Sequence, residues 1–252
     1  MVRGRPHLRI DPAAWRLLAA LLSSACSSPV REPTVVPEGL RVLALPGGNG
    51  VLEVAALTLH RAGTTTELLA ALRNTGDAPA CHAAFSVELF DGTDQSLAAG
   101  ITGLLTQQFY RRTDGSETIA ACVAPGERTM AAITDLPPEL AIEDVRAIVY
   151  RTPYFALDVE PVAGLRVEHI EKSTRDNRVA YTGTLKNSLE VSVDKPSVTI
   201  FPLTEAGRPV AVIQSTSDIH IPPDGEWHFE TSPVGAPSAA DQLAFPAGAL
   251  SQ

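Results

Sequence analysis

Leu68-Leu-Ala-Ala-Leu-Arg-Asn74 recurs as Tyr181-Thr-Gly-Thr-Leu-Lys-Asn187, 113 residues further along the chain. The same displacement pairs Phe85 with Val198, Val87 with Ile200, and Leu97-Ala98 with Val210-Ala211. Ala124-Pro-Gly-Glu127 then pairs with Pro223-Asp-Gly-Glu226 at a displacement of 99, so the first copy carries 14 extra residues, around Gly103–Gly115. An internal repeat of this length means two copies of one folding unit.

Within each copy the signal is that of short strands. Leu68, Ala70 and Leu72 alternate with their neighbours, as do Phe85, Val87 and Leu89. A period of two places each set on one face of a strand. Asp91-Gly92 and Asp224-Gly225 supply turns, and no long segment holds a helical period. The expected fold is all-β, with two tandem Ig-like or FnIII-like sandwiches of about 100 residues each. They span 50–153 and 164–250, with a boundary near Tyr154–Gly164. Val198 and Ile200 lie on one face of their strand, Phe201 and Leu203 on the other. A strand apolar on both faces is covered twice. The second cover is either the neighbouring repeat or another protein.

The N-terminus reads differently. Four arginines lie within residues 3–16, followed by the apolar run Leu17–Leu22 and then Ser23-Ser-Ala-Cys26. A basic region, an apolar region and small residues before a cut make a secretory signal. The run is too short to span a bilayer as a helix. Residues 27–48 are rich in Pro and Gly, so 26–49 reads as a flexible tether. Removing residues 1–25 takes away four arginines and Asp11, leaving 16 basic and 28 acidic residues, a net charge of −12. An acidic body without a basic stripe excludes nucleic acid as an expected partner.

Three cysteines remain to be placed: Cys26, Cys81 and Cys122. In an oxidising compartment, Cys81 and Cys122 make a reasonable disulfide. It would close a loop of about 40 residues and contribute roughly 3–4 kcal/mol. Two free buried thiols are the alternative. By repeat alignment Cys122 corresponds to Ile221, and Cys81 shares strand parity with Phe85, so both are expected to face the domain core.

Leu22-Ser-Ser-Ala-Cys26 resembles the lipobox of bacterial lipoproteins, which implies a lipid on Cys26 as the mature N-terminus. Ser27 after it fits outer-membrane sorting. Leu72-Arg-Asn-Thr-Gly-Asp77, Val87-Glu-Leu-Phe-Asp91 and the Pro125-Gly-Glu127 turn resemble the FxLYD type of bacterial envelope domain. In that family a strand ends in Asn, and the next strand carries the name-giving motif before a turn. Glu143-Asp-Val-Arg-Ala-Ile-Val-Tyr-Arg151 is similar to the final strand of YcfL-like periplasmic lipoproteins. The resemblance implies a small sandwich in the cell envelope and brings no catalytic residues.

The chemistry-bearing side chains form no catalytic or metal pattern. No His-Glu-x-x-His is present, and no histidine has a ligand-spaced partner. Adjacent residues on a strand point to opposite faces, which disfavours a Cys81–His82 catalytic pair. Ser192-Val-Asp-Lys195 has the Ser-x-x-Lys spacing, but a strand context does not set Lys one helical turn from Ser. Asp91-Gly-Thr-Asp94 reads as a turn rather than a calcium loop. No cofactor is expected. Phe109-Tyr-Arg-Arg112, in the first-copy insertion, groups two aromatics with two arginines and is the candidate partner-binding cluster. The alternative is a hairpin whose aromatics fold onto the sheet.

The expected function is therefore non-enzymatic: a lipid-anchored protein on the periplasmic side of the envelope, binding an envelope protein partner in a structural or accessory role. The competing expectation is a ligand-binding or hydrolytic protein acting on envelope polymer. It requires an inter-domain cleft holding His169, Glu171 and Asp194.

Overall fold

The computed structural model describes residues 39–45, 50–62, 65–113, 119–161, 164–176, 178–235 and 240–251. The segment read as a secretory signal, Cys26 and most of the segment read as a tether lie outside these residues. The first copy contributes β1 (Arg41–Ala44), β2 (Leu52–Ala62), β3 (Thr65–Asn74), β4 (Ala80–Cys81), β5 (Phe85–Phe90) and β6 (Ser96–Leu105). It continues with β7 (Gln108–Arg112), β8 (Ile119–Val123), β9 (Arg128–Leu136), β10 (Ala147–Arg151), β11 (Phe155–Ala156) and β12 (Val159–Pro161). The second copy contributes β13 (Leu165–Arg175), β14 (Arg178–Asn187), β15 (Ser192–Leu203), β16 (Ile213–Thr216), β17 (His220–Ile221), β18 (Glu226–Glu230), β19 (Val234–Gly235) and β20 (Asp241–Ser251). Among the described residues no helix is long and apolar enough to cross a membrane.

The first copy is a sandwich built largely from one sheet folded on itself. Its order is β1-β10-β5-β6-β9-β3-β2. The long β6 pairs with β5 through residues 96–103 and then with β9 through Leu104 and Leu105, which carries it from one layer to the other. Leu59, Leu68, Leu72 and Ile133 from one layer meet Phe85, Leu89 and Ile148 from the other in a single core. Leu68, Leu72, Phe85 and Leu89 are alternating positions of the sequence pattern, and alternation is what aims them inward. In the second copy β13, β14 and β18 form one layer, and β15 with β16, β17 and β20 forms the other. Tyr181, Leu185, Val193, Val198, Ile200 and Phe229 fill its core.

The repeat extends to single residues. Asn74 and Asn187 end equivalent strands, and both are fully buried. The Asn74 side-chain amide donates to the carbonyls of Ala78 and Val123, each at 2.9 Å, and its oxygen accepts from the Gly76 N–H at 2.9 Å. Asn187 donates to Val191 at 2.9 Å and Ile221 at 3.1 Å and accepts from Leu189 at 3.0 Å. His82 and Lys195, also 113 apart, both adopt left-handed backbone, with φ of 47° and 48°. The chain breaks its strand there in the first copy, between β4 and β5, and bulges in the second, between Asp194 and Ser197.

That left-handed residue corrects one expectation. Cys81 and Cys122 are bonded, directly opposite each other on β4 and β8 with Cα atoms 3.9 Å apart. They do not enter the main core. They form a separate buried cluster with Tyr110 and Ala120, against which Leu157 and Val159 pack. A regular strand would place Cys81 on the face of Phe85, but His82 turns the chain over and Ala80 takes the inward position. In the second copy Val193 and Ile221 correspond to Ala80 and Val123, so Cys122 corresponds to His220 rather than Ile221, and Asp194 opposite His220 takes the place of the cysteine pair.

Two segments read as linkers are partly strands. Arg41–Ala44, within the expected tether, runs parallel to β10 as an edge strand. Within the inter-domain segment, β11 pairs with β4 and β12 with β7, at opposite edges of a small sheet ordered β11-β4-β8-β7-β12. Leu157 lies between them and packs on the disulfide cluster. Pro and Gly near these stretches hid short strands that depend on a neighbouring edge for their hydrogen bonds.

The two sandwiches join through a third apolar cluster. Leu69, Ala71, Met130 and Ala132 from the outer face of β3 and β9 pack against Phe201, Leu203 and Phe245. The neighbouring repeat is thus what covers the second face of β15.

Candidate functional site

Beside that contact a cleft of about 660 Å³ opens between the sandwiches. One wall is β7 with the turn into β9, through Gln108, Phe109, Glu127 and Arg128. The start of β13, Gly164–Glu168, forms another, and Leu243–Pro246 of β20 the third.

The first wall is set by the buried asparagine and the insertion. The Asn74 N–H donates to the Glu127 carbonyl, and the Gly126 N–H donates to the Asn74 carbonyl, so the strand end fixes the turn. Gly126 sits at φ +76°, a left-handed position that glycine adopts without strain. The Glu127 carboxylate accepts from the Ala124 N–H at 3.0 Å and the Tyr110 hydroxyl at 3.5 Å. Burial, reinforced by the Glu127 charge, pushes the Tyr110 phenol up to about 12. Glu127 is therefore occupied by its own turn.

The arginines are differently placed. Arg128 lies opposite Arg73 on β3, and Arg166 lies opposite Lys186 on β14. Like charges directly across a strand pair are destabilising. The Arg73 guanidinium donates to the Gly126 carbonyl at 3.3 Å, and Lys186 also faces Glu226. Among the described residues, Arg128 and Arg166 have no comparable side-chain partner. Both are exposed at the cleft. Leu165, Phe245 and the half-buried Phe109, which packs against the second core, give it an apolar lining. Glu168 is the other acid on the walls.

The expected cluster Phe109–Arg112 is divided by its own strand. Phe109 packs toward the second sandwich, and Tyr110 is buried beside the disulfide. Arg111 is exposed and Arg112 half-buried. Alternation along β7 sends neighbours to opposite faces, so the four form no single patch. The aromatics follow the alternative in which they fold onto sheets. The insertion thus becomes a strut: Phe109 braces the second copy, which has no counterpart for it.

His169, Glu171 and Asp194 do not meet in the cleft. His169 lines a separate recess with Thr184 and His228. Glu171 is exposed on β13 opposite Thr182. Asp194 pairs with His220 at 2.7 Å. His228 bonds Thr184 at 2.9 Å and lies 3.3 Å from Glu226. Ser192 and Lys195 are on strand β15. The Asp91 carboxylate is used by its turn, accepting from both Thr93 donors and the Gln95 N–H, and these bonds hold its pKa below the usual carboxylate value. Asp94 pairs with Arg41 at 3.1 Å. Among the described residues no group of three acidic, His or Cys side chains is arranged to hold a metal.

Sequence reasoning missed Arg128, Arg166 and Phe245. The repeat alignment held a signal: Arg166 stands where the first copy has Glu53, and Arg128 where the second has Trp227. Such divergent positions mark where two copies have taken different surroundings.

No protein-family model matches the chain, and no curated protein matches it. Among solved structures it is similar to the crystal structure of red sea bream transglutaminase, at 12% identity and a TM-score of 0.21. The match covers 77% of this chain and 27% of that one. At that TM-score the likeness carries no argument about activity.

Proposed function

We propose that the chain is an exported, lipid-anchored protein of the bacterial envelope that binds a protein partner without catalysis, with Cys26 as the anchor. The observation that carries the reading is the wholly buried Cys81–Cys122 disulfide. Disulfides persist in oxidising compartments, and the basic and apolar segments before Cys26 have the order of an export signal. The FxLYD-type kinship is supported by Asn74 at a strand end, by β5 over the Val87–Phe90 motif, and by Asp91 closing the turn after it. The partner-binding role is supported by a cleft at which Arg128 and Arg166 are exposed and, among the described residues, make no ion pair.

Fractionation and crosslinking of intact cells test this. The wild-type chain should sediment with membranes, and Cys26→Ser should move it to the soluble fraction. Crosslinked envelopes should yield one reproducible partner. A wild-type chain that is soluble, or one recovered without any partner, would sink the proposal.

A further inference from the structure

The repeat supplies a comparison within one molecule. β20 lies beside β15 as β10 lies beside β5. At the 113-residue displacement, Val87 to Phe90 become Ile200 to Leu203. Their antiparallel partners, Ala147–Tyr150 in the first copy, then correspond to Asp241–Ala244 in the second. In the first copy the outer edge of β10 is covered by β1, running parallel from Arg41 to Ala44. In the second copy β20 pairs with β15 alone among the described strands. Its Leu243–Pro246 stretch lines the cleft instead, with the start of β13 on the neighbouring wall.

We infer that this edge of β20 is a docking site where an extended peptide segment of a protein partner adds as a strand, directing one acidic side chain toward Arg128 and Arg166. The inference rests on the partner-binding reading above and names its site and mode. An unpaired strand edge presents N–H and C=O groups that another backbone satisfies, and strand addition is a general mode of peptide recognition. The β1 segment shows the length and direction that this fold accepts, about four residues running parallel. Pro246 has no N–H and limits the donor row at that end. Leu165, Phe109 and Phe245 offer apolar contacts for alternate side chains. Charge selects the rest. Arg128 and Arg166 each face a like charge across their strands, so a carboxylate gains two guanidinium partners. Glu168 on the same walls disfavours a second acid.

The probe is a fluorescein-labelled heptapeptide of residues 39–45 carrying Arg41→Glu, titrated into the full chain. Saturable binding in the micromolar range is expected. N-methylation of alternate peptide amides should abolish it. The double variant Arg128→Ala/Arg166→Ala should weaken it about tenfold or more. Both arginines are exposed, so circular dichroism should show the fold kept; the unmodified 39–45 peptide, with its arginine, should bind more weakly and checks the charge rule without any protein variant. Amide exchange should slow at residues 243–247. Non-saturable binding, equal affinity for the N-methylated peptide, or protection confined to the β2 edge would overturn the site. The two proposals fail separately. A partner crosslinked equally by wild type and the double variant, with no peptide binding, removes this site and leaves partner binding standing. Peptide binding without any recovered partner does the reverse.

Discussion

Replacing Asn74 or Asn187 with Ala should destabilise the two sandwiches by matching amounts. Each asparagine is fully buried and ties a strand end to two other segments. Asn74 makes three hydrogen bonds, all at 2.9 Å. Asn187 makes four, because its amide also donates to Pro222 at 3.0 Å. A side-chain amide has only two hydrogens, so the Ile221 and Pro222 carbonyls share one and both residues count as about three bonds. At about 1 kcal/mol net for each bond, either truncation costs about 3 kcal/mol. The orphaned Val123 and Ile221 carbonyls push the figure toward about 5 kcal/mol. Urea unfolding separates the two. Trp227 lies in the second sandwich, packed 5.9 Å from Phe229, so its fluorescence should follow Asn187→Ala, whereas circular dichroism should register both variants. Asn187→Asp should be worse than Asn187→Ala, since it loses the donors and buries a charge. A cost under about 1 kcal/mol for either alanine, or a large difference between them, would refute the claim that the asparagines do one job twice.

Three further outcomes follow from the same geometry. Replacing Cys81 and Cys122 with Ala together should cost about 4 kcal/mol from loop closure alone, for a separation of 41 residues, measured by denaturant unfolding of the oxidised wild type against the variant. Phe201→Ala removes a fully buried ring from the joint between the sandwiches and should cost about 3–5 kcal/mol; calorimetry should show one transition broadening or splitting into two. Tyr110, raised to about 12 by burial and by Glu127, should ionise above the ordinary tyrosine range in an ultraviolet titration. Its folded value lies above the ordinary value of about 10, so its contribution is fully present below pH 10 and is lost as pH rises toward 12. Tyr110→Phe should remove that alkaline component.

What the sequence disclosed was whatever depended on periodicity. Alternation at Leu68–Leu72 and Phe85–Leu89 located strands and core, and the Asn74–Asn187 match gave the two sandwiches. The disulfide partners were legible from the cysteine count, with Cys26 set aside as the lipid site. Their face was not, because a single left-handed residue at His82 inverts the parity on which that argument relied. β1 and β12 were hidden because their stability comes from neighbouring edges, to which local composition is blind. The cleft was hidden more deeply. Arg128 and Arg166 lie 38 residues apart, and only the packing of Phe201 and Phe245 onto β3 and β9 brings their strands together. Phe109 appeared surface-bound because its own strand alternates; its burial comes from the other copy.

Export, anchoring at Cys26 and oxidation of Cys81 with Cys122 stand together in the proposed function. Mass spectrometry of the protein extracted from its own cells, digested without reduction, tests all three together. A mature N-terminal peptide beginning at acylated Cys26 and a cross-linked peptide pair joining Cys81 to Cys122 are expected. Peptides from residues 1–25 in the mature protein, together with free thiols at Cys81 and Cys122, would contradict the proposed function.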